Sequence, residues 1–113
     1  MAVEKQTIPK LTIEVMYKDS YCLPCYYMDE AVKEVLPFYS DTVRYDRVDM
    51  LTPPGKERFL DLSVSLFGEE GVFRYKRIAP IPSLFINGEL FFDAIPPRHD
   101  LEDAIHECLC PVS

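Results

Sequence analysis

Two cysteines separated by Leu23 and Pro24 are the residues of this chain with the clearest capacity for chemistry. Cys22 and Cys25 are close enough in sequence to close a small disulfide. The pattern around them places Cys22 at the start of a helix, where free backbone N–H groups and the helix dipole favour a thiolate. Cys25 lies about one turn further in, where we expect it to be less exposed. The spacing predicts that Cys22 attacks a substrate disulfide and that Cys25 resolves the mixed disulfide.

The segments on either side of the pair have the patterns of the elements that would position it. Residues 11–17 alternate between apolar and polar side chains, which predicts a strand. After the motif, one helical face carries the apolar residues Met28, Ala31, Val32, Val35 and Leu36. Most of the opposite face is charged, with Asp29, Glu30, Lys33 and Glu34. An accidental pair of cysteines would not predict both a preceding strand and a following amphipathic helix.

The remaining elements follow from periodicity and turn residues. They are a strand at 42–49, a loop at 52–55, a helix at 56–67 ended by 68–71, a strand at 83–86, a strand at 89–93 and a helix ending at 109. Asn87-Gly88 predicts a hairpin between the last two strands, and Asp100 is the expected N-cap of the last helix. Residues 72–80 fit no single pattern. The predicted order is β-α-β-α-β-β-α, with the first two strands parallel.

Three motifs in this order resemble the thioredoxin superfamily. They are strand 11–17, the Cys22-Leu23-Pro24-Cys25 helix start, and Ile81-Pro82-Ser83-Leu84 before the hairpin. The resemblance covers residues 11 to 109. Ten leading residues are too few for the extra N-terminal strand–helix unit of thioredoxins, and in that respect the chain is closer to the minimal, glutaredoxin-like core. The position of Pro24 just before the second cysteine is the thioredoxin-type arrangement. It implies an α/β fold, a thioredoxin-like three-layer α/β/α sandwich around a four-stranded mixed sheet.

The resemblance also implies a substrate-binding set around the cysteines. Pro82 would be the cis-proline of the family, and it does lie immediately before a strand, where a proline is tolerated. The backbone of Ile81 would pair with the substrate peptide as a short added strand. Tyr21 matches the aromatic residue common before the motif, and Leu23 and Pro24 would complete the surface. The implied activity is reduction of protein disulfides, with no bound cofactor and with recycling by a reductase, which the family suggests is a flavoprotein.

The match is weaker beneath the cysteines. The family has a buried carboxylate on the first strand, and the matching residue here is Met16. Glu14 lies two residues earlier on the same strand face, and Tyr45 matches the lysine that usually accompanies the acid. These differences leave the redox potential and the proton-transfer route open.

Several other residues admit two interpretations. The basic residues Arg74, Lys76 and Arg77 belong either to a solvated loop or to a docking surface for an acidic partner. Cys108 lies on the apolar face of the last helix, which is typical of a small buried hydrophobe. With Cys110 it could also form a second redox pair, an intermolecular disulfide or part of a zinc site. His106 is expected at the surface and His99 near the start of the last helix, so neither is expected to act as a catalytic base.

Composition sets the limits on partners and compartment. The 113 residues fit one domain, with an N-terminal arm at 1–10, the domain at 11–110 and a tail at 111–113. A net charge of −7 argues against binding to nucleic acid or to an anionic membrane. No apolar run is long enough for a membrane helix, and no secretory signal is visible, so the expected compartment is the cytoplasm.

Three rival hypotheses remain open. The first is a thioredoxin-like binding or adaptor module in which the cysteines are dispensable. The second is a metal-binding or metallochaperone domain that uses Cys22 and Cys25. The third is a disulfide oxidase or isomerase, which would require an oxidising compartment.

Overall fold

The strands and helices follow the predicted order β-α-β-α-β-β-α in a computed structural model, which describes residues 11–39 and 41–109. The elements are β1 (Leu11–Tyr17), α1 (Leu23–Val35), β2 (Val43–Asp49), α2 (Pro53–Phe73), β3 (Leu84–Ile86), β4 (Glu89–Phe92) and α3 (Arg98–Leu109). A single 3₁₀ turn, Leu36–Phe38, extends α1. The arm 1–10, Cys110 and the tail 111–113 lie outside the described residues.

The sheet has the strand order β2-β1-β3-β4. β1 is parallel to β2 and antiparallel to β3, and β3 is antiparallel to β4. The predicted hairpin turn is present, with φ angles of 52° at Asn87 and 83° at Gly88. Positive φ at both central residues matches the twist of the flanking strands, and Asn-Gly tolerates it best.

Alternate residues of β1 belong to two separate hydrophobic cores, one on each face of the sheet. Ile13 and Val15 pack with residues of α1 and α3, whereas Met16 packs with Phe59 and Leu62 of α2. This division follows from the period of two along a strand. Helices therefore cover both faces of a mixed sheet, as the resemblance implied. The fold is thioredoxin-like.

Helix α2 differs from the prediction at both ends. The segment predicted as a loop at 52–55 instead starts the helix, because the Thr52 hydroxyl caps the Gly55 N–H at 3.1 Å and Pro53 and Pro54 occupy the first turn. Gly68 was expected to begin the helix end, but it forms a kink with φ 78° and ψ 165°, after which helical structure resumes and ends at Phe73. Part of the unassigned segment 72–80 is therefore helical.

Two smaller differences concern α3 and the membrane question. Asp100 is not the N-cap of α3, because the helix begins at Arg98 and Asp100 lies within its first turn. None of the helices in the described ranges combines the length and the apolar character needed to cross a membrane.

Candidate active site

The N-terminus of α1 holds the two cysteines in a disulfide. Cys22 is the N-cap, with extended backbone, and its Sγ accepts a hydrogen bond from the Cys25 N–H at 3.3 Å. Its carbonyl accepts from the Tyr26 N–H at 3.0 Å, which closes the first turn. Pro24 occupies that turn without loss, because an N–H at this position has no partner within the helix.

The two sulfur-bearing residues differ in exposure. Cys25 is fully buried, and Cys22 is partly exposed. The Lys18 N–H, just after β1, donates to Cys25 Sγ at 3.4 Å. An incoming disulfide can therefore reach Cys22 from solvent, whereas Cys25 is reached only through Cys22.

The loop before β3 lies at the same end of the sheet as the cysteines. The Ile81–Pro82 peptide bond is cis. The Met16 N–H donates to the Ser83 carbonyl at 2.9 Å, which continues the antiparallel register of β1 and β3. The same register places Pro82 opposite Tyr17, the last residue of β1. The side chain of Ile81 packs against the core on the α2 side.

Exposed apolar side chains surround the cysteine pair. Tyr21 is 90% exposed and Leu23 is 62% exposed. The loop that carries them is held by Asp19, whose carboxylate accepts from the Tyr21 N–H at 2.9 Å and whose carbonyl accepts from the Cys22 N–H at 3.2 Å. Tyr26, 45% exposed, lies on the first turn of α1. A group of exposed apolar side chains that lie together is typical of a surface that binds a partner.

The position of the family's buried carboxylate is occupied here by Met16, and the nearby Glu14 is paired with another residue. Met16 is fully buried in the core on the α2 side. Glu14 is also buried, and its two carboxylate oxygens accept from Arg58 Nε and Nη2 at 2.7 and 2.8 Å. This hydrogen bond to Glu14 raises the pKa of the Arg58 guanidinium. Glu14 is therefore committed to a bidentate pair with α2.

A second buried carboxylate, Asp29, was placed on the wrong face by the sequence analysis. Asp29 lies one helical turn after Cys25 and is 1% exposed. Its carboxylate accepts from the Tyr45 hydroxyl at 2.5 Å and from Lys33 Nζ at 2.9 Å, and Arg47 Nη1 lies 3.7 Å away. Burial, followed by the hydrogen bond to Asp29, raises the pKa of Tyr45, so the hydroxyl stays a donor.

This Asp29 network reaches the strand that leads to the cysteines. The Arg47 guanidinium lies 4.3 Å from the centre of the Tyr17 ring, a cation–π contact at the end of β1. The network thus joins α1, β2 and the end of β1. The signal in the sequence was the i, i+4 spacing of Cys25 and Asp29, which puts an acid on the buried stripe.

The remaining candidates lie on or near α3. His99 and His106 are exposed, and His106 Nε2 lies 2.9 Å from the Tyr39 hydroxyl. Cys108 is half-buried against the core of α1 and α3, and this burial raises the pKa of its thiol. Within 11–39 and 41–109, no group of three or more His, Cys, Asp or Glu side chains is arranged to hold a metal ion.

Comparisons with known proteins give a structural likeness only. No protein-family model matches the chain, and no curated protein matches it. Thirty chains among the solved structures match. One is the solution structure of oxidised thioredoxin from Plasmodium falciparum, 16% identical, with a TM-score of 0.49 over 88% of this chain and 81% of that chain.

Proposed function

We propose that the protein is a thiol–disulfide oxidoreductase that reduces protein disulfides through Cys22 and Cys25. The observation that carries the proposal is the asymmetry of the pair. One sulfur is partly exposed at the N-terminus of a helix, and the other is buried and within bonding reach of the first. Dithiol chemistry needs both properties, because one thiol must be accessible to the substrate and the other must be close enough to resolve the mixed disulfide.

The proposed cycle balances as two thiol–disulfide exchanges. The Cys22 thiolate attacks one sulfur of the substrate disulfide, so a Cys22–substrate bond forms and the other substrate sulfur leaves as a thiolate. The Cys25 thiolate then attacks Cys22 Sγ and releases the second substrate thiolate. Two electrons pass from the dithiol to the substrate, and the two substrate thiolates take up the protons that the dithiol loses.

Backbone N–H groups support both attacking sulfurs. The Cys25 N–H is directed at Cys22 Sγ, and the N-terminus of α1 adds the favourable end of the helix dipole. The Lys18 N–H is directed at Cys25 Sγ, which lies away from water and needs such a donor when it ionises. Because both cysteines lie at the start of the same helix, the resolving step requires no approach of one helix to another.

The proposed substrate is an extended protein segment. Tyr21, Leu23 and Pro24 would contact its apolar side chains, and the backbone of Ile81, next to Pro82, would pair with its main chain. No bound cofactor is needed, because the dithiol itself carries the electrons. A reductase, which we propose is a flavoprotein, would restore the dithiol, and a cytoplasmic location would suit that role.

Turnover of a protein disulfide by the purified protein, with a small dithiol as the recycling reductant, tests the proposal. We expect Cys22→Ser to abolish turnover and Cys25→Ser to accumulate a mixed disulfide on Cys22 that mass spectrometry can identify. Cys108→Ser is the matched control and should leave turnover within about twofold of the unchanged protein, because its thiol lies against the core of α3.

The contrary outcomes point to the rival hypotheses. Full turnover by Cys22→Ser would contradict the proposal, and retained partner binding by that variant would favour an adaptor. Stoichiometric metal in the reduced protein would favour a metal-binding role. A reduction potential of the pair near about −270 mV would agree with a reductant, whereas about −120 to −180 mV would indicate an oxidase or isomerase.

A further inference from the structure

A short basic segment, residues 74–77, lies between the end of α2 and the proline loop of the site. It contains Arg74, Lys76 and Arg77 with Tyr75 among them, and all four residues are exposed. The chain as a whole has a net charge of −7. Three cations within four residues are therefore a local departure from the charge of the protein.

The backbone of the basic segment is held in one shape. The N–H groups of Arg74 and Tyr75 donate to the Glu70 carbonyl at 2.9 and 3.2 Å, and the Arg77 N–H donates to the Gly71 carbonyl at 2.9 Å. Lys76 has a positive φ of 59°, which turns the chain back. Just beyond, the buried Ala79 N–H donates to Ser63 Oγ at 2.9 Å. Since both ends are tied to α2, the cations project from a fixed base.

Two of the three cations have no acidic partner among the described residues. Arg74 pairs with Glu70 at 2.9 Å, and both side chains are about two-thirds exposed. Lys76 and Arg77 form no salt bridge within 11–39 and 41–109. The positive charges of Lys76 and Arg77 are thus not neutralised within the described residues, and they can attract an acidic group of a partner.

Aromatic surface lies beside this charge. Phe73 is 63% exposed and Tyr75 is 59% exposed. An open cleft of about 510 Å³ is lined by Phe67, Gly68, Glu69, Glu70, Gly71, Tyr75 and Arg77. The two glutamates border the cleft, so it favours an acidic segment only on the side of the basic residues. The combination of uncompensated cations and exposed rings fits a protein segment with both acidic and apolar side chains.

The basic segment is within reach of a peptide bound at the proposed site. Arg77 precedes Ile81 by four residues, so their Cα atoms are at most about 14 Å apart. A substrate strand paired with Ile81 would advance by about 3.3 Å per residue. Acidic side chains three to five residues from the reacting cysteine would be displaced along such a strand by about 10–16 Å, which is comparable with this span.

We propose that residues 74–77 select substrate proteins with acidic side chains three to five residues from the reacting cysteine. The inference rests on the proposed disulfide reductase function and adds a substrate class to it. The overall negative charge does not prevent such contacts, because at physiological salt the field of distant charges is screened beyond about 8 Å. The selectivity therefore depends on direct ion pairs between residues 74–77 and the acidic side chains of the substrate.

Two peptide disulfides of identical length test the proposal. One has Glu at the third to fifth positions on both sides of its cysteine, and the other has Gln at those positions. We expect the unchanged protein to reduce the Glu peptide with a kcat/KM about fivefold higher than the Gln peptide at physiological salt, with the ratio approaching one at about 1 M salt.

The double variant Lys76→Gln/Arg77→Gln should lose this preference while it reduces the Gln peptide at the original rate. The control Arg44→Gln/Lys56→Gln removes the same charge from exposed positions on β2 and α2 and should keep the preference. A preference that survives in the Lys76/Arg77 variant, or its absence in the unchanged protein, would overturn the proposal. If neither peptide is reduced by the unchanged protein, the reductase function itself fails.

Discussion

At the scale of single residues, the Asp29 carboxylate shows how a buried charge is accommodated one helical turn after Cys25. A carboxylate taken out of water is costly unless hydrogen bonds replace its hydration. Tyr45, Lys33 and Arg47 supply those contacts from two elements. The result is a polar connection between the helix that carries Cys25 and the strand beside β1.

Removing one donor from this network should cost stability. Tyr45→Phe deletes the hydroxyl that donates to Asp29 at 2.5 Å and leaves the ring in place. We expect the free energy of unfolding to fall by about 1–3 kcal/mol, because a hydrogen bond to a buried charge is lost. Urea unfolding measures the change. Tyr75→Phe, at an exposed position, is the matched control, and equal effects of the two variants would contradict this account.

At the scale of elements, the start of α2 is set by its close approach to the end of β2. The Thr52 hydroxyl accepts from the Gly55 N–H and donates to the Asp49 carbonyl at 2.8 Å. A Cβ atom at Gly55 would overlap that same carbonyl group. Gly55 is therefore required by packing of one element against the next, although its own backbone is ordinary helix.

Substitution at this contact should be far more costly than elsewhere on the helix. We expect Gly55→Ala to lower the free energy of unfolding by about 1–3 kcal/mol, because the helix start must shift away from β2. Ser65→Ala, at an exposed position of α2, should change stability by no more than about 0.5 kcal/mol. Thermal or urea unfolding compares the two variants. A neutral Gly55→Ala would show that the approach of α2 to β2 is looser than described.

At the scale of the whole molecule, one strand supports both cores. β1 contributes Ile13 and Val15 to the side of α1 and α3, and Met16 to the side of α2. Loss of either core would expose one face of the same strand. The two halves of the described chain are therefore expected to lose their packing together.

This shared strand predicts a single unfolding transition. Far-ultraviolet circular dichroism, which follows the helices, and tyrosine fluorescence, which follows packing around residues such as Tyr17 and Tyr45, should give coincident midpoints in urea. The measurement is made with the disulfide either fully oxidised or fully reduced throughout. Two separated midpoints would show that the α2 side unfolds independently of the side of α1 and α3.

Local patterns in the sequence were sufficient for most of the elements and for both ends of α1. Strand 11–17, the Asn87-Gly88 turn and the position of Pro24 each depend on short-range sterics and periodicity, which act within a few residues. The start of α2 was missed because Pro53-Pro54 is typical of a loop as well as of a first helical turn. Only the cap from Thr52 distinguishes the two.

The sequence by itself determined the order of the elements, the cysteine pair at a helix start and the apolar stripes that cover the sheet. Only the tertiary structure decided what surrounds the site. It placed the Ile81–Pro82 loop beside the end of β1. It also paired Glu14 with Arg58, 44 positions away, and Asp29 with Tyr45, 16 positions away. The physical reason is range: periodicity is a property of neighbouring residues, whereas the partner of a buried charge depends on which strand and helix come to lie beside it.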